Sequence, residues 1–210
     1  MFPALYAILD PSLIQQPVVV LAKKLSAAGV RLFQLRDKHA SSGQVFAEAR
    51  ELVSALDPLQ ARLILNDRPD IASIVGAGGV HVGQEDISVE DARRICGAAC
   101  WVGVSTHNLQ QLREADATSA DYIAVGPVFS SATKENPDPV VGLDFLREAR
   151  KVTRKPLVAI GGITVESAPE VFRAGADSIA VIRDLMLAPD PAARAREYLE
   201  AAESVRAARN

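Results

Sequence analysis

ARLILNDRPDIASIVGAGGVHVGQED, residues 61–86, reads as one strand–helix–strand unit, and repetition of this unit decides the fold. Arg62–Asn66 and Gly79–Val82 are short apolar runs of strand length. Pro69–Val75 lies between them and opens on a proline, which suits a first helical turn. It leads through the AGGV joint at Ala77–Val80 into the next strand. LILN, and likewise YIAV at Tyr122–Val125, show little polar alternation, so these strands are expected to be covered on both faces, as in a parallel sheet wrapped by helices.

The same alternation continues in both directions. Further strands are predicted at Leu5–Leu9, Arg31–Arg36, Trp101–Ser105, Tyr122–Val125, Leu157–Ile160 and Ser178–Ile182. Further helices are predicted at Val18–Ala28, Gln44–Leu56, Val89–Ile95, Leu109–Glu114, Leu143–Val152, Val165–Arg173 and Ala192–Ala208. Ser88 with Asp91 marks a helix start, and Thr164 is a second N-cap candidate. Gly29, Gly97 and Gly175 stand where helices should end. Eight such units in 210 residues is the count of one compact (β/α)₈ TIM barrel over residues 1–210, with no linker. A doubly wound open sheet shares the alternation and is the competing architecture.

Bulk properties narrow the function classes. A net charge of −3 gives no basic face for nucleic acid. No apolar run approaches the ~20 residues that cross a bilayer, and Met1 opens no secretory pattern. A cytoplasmic protein without membrane or nucleic-acid partners is expected. Cys96 and Cys100 lack the second pair of a zinc site and read as small apolar residues near a helix end. A homo-oligomer is left open.

In a barrel, chemistry belongs at the C-terminal ends of strands. Polar residues gather at those ends in strand after strand: Gln34, Arg36 and Lys38; then Asn66, Asp67 and Arg68; then Gln84 and Asp86. Ser105 and His107 follow, then Ser131, Thr133 and Lys134, then the glycines of AIGGI at Gly161 and Gly162, and last Ile182 and Arg183. Arg36, Lys38 and Lys134 are cations suited to phosphate oxygens, or else to surface ion pairs with Asp37 or Glu135. Asp67 and Asp86, at adjacent strand ends, suit Mg²⁺ completed by substrate phosphate and water. Alternatively, Asp67 pairs with Arg68 or caps the helix at Pro69. AIGGI followed by SIAVI matches the phosphate cradle that barrels build after strands seven and eight, where glycine lets backbone approach the anion. Two anion sites imply two phosphorylated substrates or one long one. Ser105 and His107 form no evident base–orienter chain, and His81 points either into the barrel or to the helix layer.

Taken together, QLRDK, NDR, HVGQED, GVSTH, GPVF…TK, AIGGI and AGADSIAVI resemble the thiamine-phosphate synthase family across residues 34–183. The resemblance implies a transferase of thiamine biosynthesis that joins hydroxymethylpyrimidine diphosphate to thiazole phosphate and releases diphosphate. By matching position it implies that Gln34, Arg36, Lys38, Asn66, Ser105 and Lys134 bind the pyrimidine diphosphate, with Arg36, Lys38, Ser105 and Lys134 catalytic. Asp67 and Asp86 would hold Mg²⁺, and Ser131, Thr133, Gly162, Ile182 and Arg183 would surround the thiazole phosphate. Two positions depart from the family pattern. Ser131-Ala132-Thr133 replaces a frequent Thr-x-Thr, and Arg183 stands where serine is common. The alternatives are a thiazole tautomerase of the same superfamily, which needs no diphosphate and metal set, and a non-catalytic barrel that binds thiazole or thiamine phosphate as a regulator. The polar segment 130–142, with Pro137 and Pro139, is expected to act as a lid.

Overall fold

The computed structural model describes residues 1–130 and 139–208. Eight strands pair in chain order, all parallel: β1 (Leu5–Leu9), β2 (Leu32–Leu35), β3 (Arg62–Asn66), β4 (Gly79–Val82), β5 (Trp101–Thr106), β6 (Tyr122–Val125), β7 (Leu157–Ile160) and β8 (Ser178–Val181). β8 returns to pair with β1, Leu5 opposite Ile179, which closes the barrel and excludes the open sheet. The strands are flanked by α1 (Val18–Ala27), α2 (Ser42–Leu56), α3 (Pro69–Val75), α4 (Val89–Cys96) and α5 (Leu109–Asp116). The second half adds α6 (Gly142–Val152), α7 (Ala168–Arg173), α8 (Arg183–Met186) and α9 (Pro191–Ala207).

Local chemistry explains the boundaries. Ser88 caps α4 as expected, its Oγ accepting from the Asp91 N–H at 3.0 Å. Thr164 does not cap α7. Its N–H donates to Ser167 Oγ at 3.0 Å and its carbonyl accepts from the Ser167 hydroxyl at 3.1 Å, a closed turn that delays the helix to Ala168. Ser41 and Gln44 form a full capping box at α2, which starts that helix at Ser42 rather than Gln44. The four-residue α8 is too short to leave a periodic trace in sequence.

Alternate strand residues face two cores. Leu9, Phe33, Leu65, Val80, Val102, Ile123 and Ile179 pack outward against helices. Tyr6, Ile8, Leu32, Ile64, Tyr122 and Val158 fill the barrel interior. Burying each large aliphatic or aromatic side chain contributes about 1.5–3 kcal/mol, so neither layer can be dispensed with. The interior accommodates the whole Tyr122 ring because β5 carries Gly103 beside it; a Cβ there would stand 2.0 Å from Tyr122 Cζ. No helix among the described residues is long and apolar enough to cross a membrane.

Candidate active site

Parallel strands bring all eight C-terminal ends to one face. Arg36, just past β2, is largely buried and pairs at 3.3 Å with Asp10, which itself caps the short 3₁₀ turn Pro11–Leu13 after β1. The predicted ion-pair partners were different. Asp37 instead accepts from the N–H groups of His39 and Ala40 at 2.9 and 3.0 Å, and Glu135 lies outside the described residues. Lys38 is exposed on the same loop.

Asp67 and Asp86 come together. Asp67 adopts a left-handed backbone, φ 58°, with its N–H donating to the His81 carbonyl at 2.8 Å. That conformation costs about 1–2 kcal/mol in a residue with a Cβ, although Asp tolerates it better than most. Asp86 is a near neighbour that disfavours charge on the Asp67 carboxylate. Asn66 Nδ2 donates to Asp67 at 2.5 Å, and the Gly83 N–H donates to Asp86 at 2.7 Å. Both alternative roles for Asp67 fail. Arg68 forks onto Asp70 at 2.9 and 2.7 Å and reaches Ser42 at 2.9 Å, and α3 has no side-chain cap. Burial foremost, then the neighbouring Asp86, lift the Asp67 carboxyl to about 6, against the pull of Lys38 and Arg36. Two neighbouring carboxylates are the arrangement a divalent cation relieves. No cluster of three or more His, Cys, Asp or Glu suited to a metal occurs among the described residues. A pair of carboxylates is the kind of donor set that suits a hard divalent cation, which completes its shell with phosphate and water.

Beneath this pair a buried polar chain crosses the barrel. Gln34 Nε2 donates to the Tyr6 hydroxyl at 2.8 Å, and the Tyr6 and Tyr122 hydroxyls are 2.9 Å apart. Tyr122 meets His81 Nδ1 at 3.0 Å, and His81 Nε2 meets Ser105 Oγ at 2.9 Å. His81 thus faces the interior, and burial pushes it down to about 4, with Asp86 opposing, so that it is neutral near pH 7. Sequence reasoning overlooked Tyr6 and Tyr122. The available signal was a hydroxyl placed in each of two apolar strands, since a buried tyrosine needs a partner. His107 turns away, its Nδ1 2.6 Å from the Gly126 carbonyl.

The AIGGI turn packs against the loop that follows β6. Gly161 (φ 100°) and Gly162 (φ 63°) abut the loop after β6: added Cβ atoms would meet Pro127 Cβ at 2.4 Å and the Ser130 carbonyl at 2.3 Å. The Val128 and Phe129 N–H groups donate to the carbonyls of Ile160 and Gly161 at 2.8 and 3.0 Å. The glycines are needed to seat that loop. Ile182 precedes α8, and Arg183, its first residue, is exposed. Ser131, Thr133 and Lys134 lie outside the described residues, as does most of the expected lid. A cavity of about 290 Å³ at the opposite end, lined by Phe2, Leu5, Arg31 and Arg206, contains none of the candidate residues.

Fold and site geometry place the chain among (β/α)₈ barrel enzymes. The family model for thiamine monophosphate synthase matches residues 5–185. A thiamine-phosphate synthase of Koribacter versatilis (strain Ellin345) is 52% identical over 205 residues, covering 94% of this chain and 95% of that one. One of Synechococcus sp. (strain WH7803) is 45% identical over 183 residues, covering 86% of this chain; the chain spans about half, 52%, of that longer protein. Among solved structures, thiamine phosphate pyrophosphorylase from Pyrococcus furiosus superposes with a TM-score of 0.88 at 31% identity, covering 96% of each chain. The chain belongs to the thiamine monophosphate synthase family and is a transferase of that family.

Proposed function

We propose that the C-terminal face of the barrel joins hydroxymethylpyrimidine diphosphate to thiazole phosphate, giving thiamine phosphate and diphosphate. The observation that carries this reading is the placement of Asp67 just past β3 and Asp86 in the loop after β4, on the same barrel face as Arg36 and Lys38 past β2. A metal-free isomerisation of one monophosphate would leave this assembly idle.

Asp67 and Asp86 would hold Mg²⁺, which would supply charge neutralisation for the diphosphate. Arg36 and Lys38 bind diphosphate oxygens, joined by Lys134 from the loop after β6. Gln34, Asn66 and Ser105 orient the pyrimidine and its leaving group. Gly162, Ile182 and Arg183, with Ser131 and Thr133, surround the thiazole phosphate. The bond between the pyrimidine methylene carbon and the diphosphate oxygen breaks, and its electron pair leaves with diphosphate. The aminopyrimidine delocalises the positive charge left behind. The thiazole nitrogen then donates its lone pair to that carbon, forming the C–N bond. No protein nucleophile is required. Positioning of two reactants supplies about 7–11 kcal/mol in well-oriented cases, and the cationic side chains stabilise charge that develops on the leaving group.

Purified protein with both substrates and Mg²⁺ is expected to release diphosphate and thiamine phosphate in equal amounts. Binding of both substrates without diphosphate release would overturn the reading.

A further inference from the structure

The buried hydroxyls between Gln34 and Ser105 have few ways to share their protons. The Gln34 Nε2 amide group can only donate. The Tyr6 hydroxyl accepts from it at 2.8 Å and therefore gives its single proton to Tyr122, 2.9 Å away. Tyr122 in turn gives its proton to His81 Nδ1 at 3.0 Å. A neutral imidazole that accepts at Nδ1 carries its hydrogen on Nε2, and that N–H faces Ser105 Oγ at 2.9 Å. Ser105 Oγ is then an acceptor within the chain, and its own hydroxyl proton is left for the site.

We propose that Tyr122, together with Tyr6, is a positioning residue: it holds His81 as the Nε2–H tautomer and so presents Ser105 as a hydrogen-bond donor to an anionic oxygen at the mouth of the barrel. That the oxygen belongs to the departing diphosphate rests on the proposed function; the direction of the chain does not. The opposite direction would spend the Ser105 proton on His81 and turn only lone pairs towards a face that carries Arg36 and Lys38 for an anion. Four of the five members are almost fully buried, so water does not readily scramble the order: Tyr6, Gln34, His81 and Tyr122 are 1%, 3%, 8% and 0% exposed. The chain also draws on five strands, β2, β1, β6, β4 and β5, so closure of the barrel is what assembles it.

The test is nitrogen NMR of the whole protein with ¹⁵N-labelled histidine at neutral pH, without substrates. The chain has three histidines, and loss of signals in His81→Gln assigns the one in question. A protonated Nε2 and a bare, hydrogen-bonded Nδ1 are expected. Tyr122→Phe removes the donor to Nδ1 and is expected to give a mixture of tautomers. Its kcat should fall roughly 10-fold, less than the loss of a direct oxyanion donor, while both KM values stay within about twofold. An Nδ1–H tautomer in the unmodified protein would overturn the proposal, as would a Tyr122→Phe variant with tautomer and kcat unchanged. If Tyr122→Phe fails to fold, the tautomer of the unmodified protein still decides the direction. An Nε2–H tautomer in a protein that releases no diphosphate would sink the proposed reaction and leave the chain's direction standing.

Discussion

The Tyr198 hydroxyl on α9 donates to the Asp184 carboxylate on α8 at 2.6 Å, and the same oxygen lies 3.2 Å from the Ile163 carbonyl. Arg194 adds an ion pair to Asp184 at 3.0 Å. The last helix thereby ties the turn after β7 to the start of α8, the two segments expected to cradle the thiazole phosphate. Tyr198→Phe should cost about 1 kcal/mol in denaturant unfolding, because the buried Ile163 carbonyl loses its donor while Asp184 keeps Arg194. It should raise KM for thiazole phosphate several-fold and leave KM for the pyrimidine diphosphate nearly unchanged. Equal changes in both would show that the clamp supports the barrel generally rather than the cradle.

Asp67 and Asp86 share one neighbourhood, so each neutral substitution should weaken the same step. Asp67→Asn and Asp86→Asn are each expected to lower kcat about 100-fold or more, the loss of roughly 3 kcal/mol of charge stabilisation. The Mg²⁺ concentration for half-maximal rate should rise in both. Normal rates with normal metal dependence would remove these residues from the metal assignment.

Gly162 and Gly43 make a contrasting pair. Gly162→Ala places a methyl 2.3 Å from the Ser130 carbonyl at φ 63°, and should cost at least about 1–2 kcal/mol. Gly43, in the first turn of α2, has nothing within 4 Å of an added Cβ. Gly43→Ala should therefore stabilise by about 0.5–1 kcal/mol. Urea titrations of both variants measure these differences directly.

Buried His81 makes stability depend on pH. Its folded value, about 4, lies below the ordinary 6.5, so the unfolded chain takes up a proton that the folded chain refuses. Stability associated with His81 is complete above pH 6.5 and is lost as pH falls to 4, by about 3 kcal/mol in all. Asp67, raised to about 6, works in the opposite sense: its contribution is present at low pH and is lost as pH rises through 6. Comparison of unfolding free energies for the protein and His81→Gln cancels the shared Asp67 contribution. The difference between them should narrow by about 3 kcal/mol from pH 7 to pH 4; a constant difference would show that His81 titrates normally.

Most of the barrel was legible along the chain. Leu5–Leu9, Arg62–Asn66, Gly79–Val82, Tyr122–Val125 and Leu157–Ile160 were recognisable as strands, because a strand covered on both faces must be apolar along its whole length. Helix starts were less clear: the Thr164–Ser167 turn and the Ser41–Gln44 capping box depend on side chains choosing between backbone partners. In the candidate site, Asp67, Asp86, Arg36 and Lys38 were placed on one face by their positions at or beyond strand ends.

The sequence by itself determined eight strand–helix units and the face on which their polar ends fall, because these depend on local hydrophobic pattern. Tertiary structure alone decided that Arg36 pairs with Asp10, that Gly162 makes room for the Ser130 carbonyl, and that Tyr6 reaches Tyr122 across 116 residues of chain. Those contacts exist only once β8 has closed on β1. Spacing along the chain encodes neighbours on one helix or strand, whereas a closed barrel sets the interior neighbours by strand register and by the room each side chain leaves.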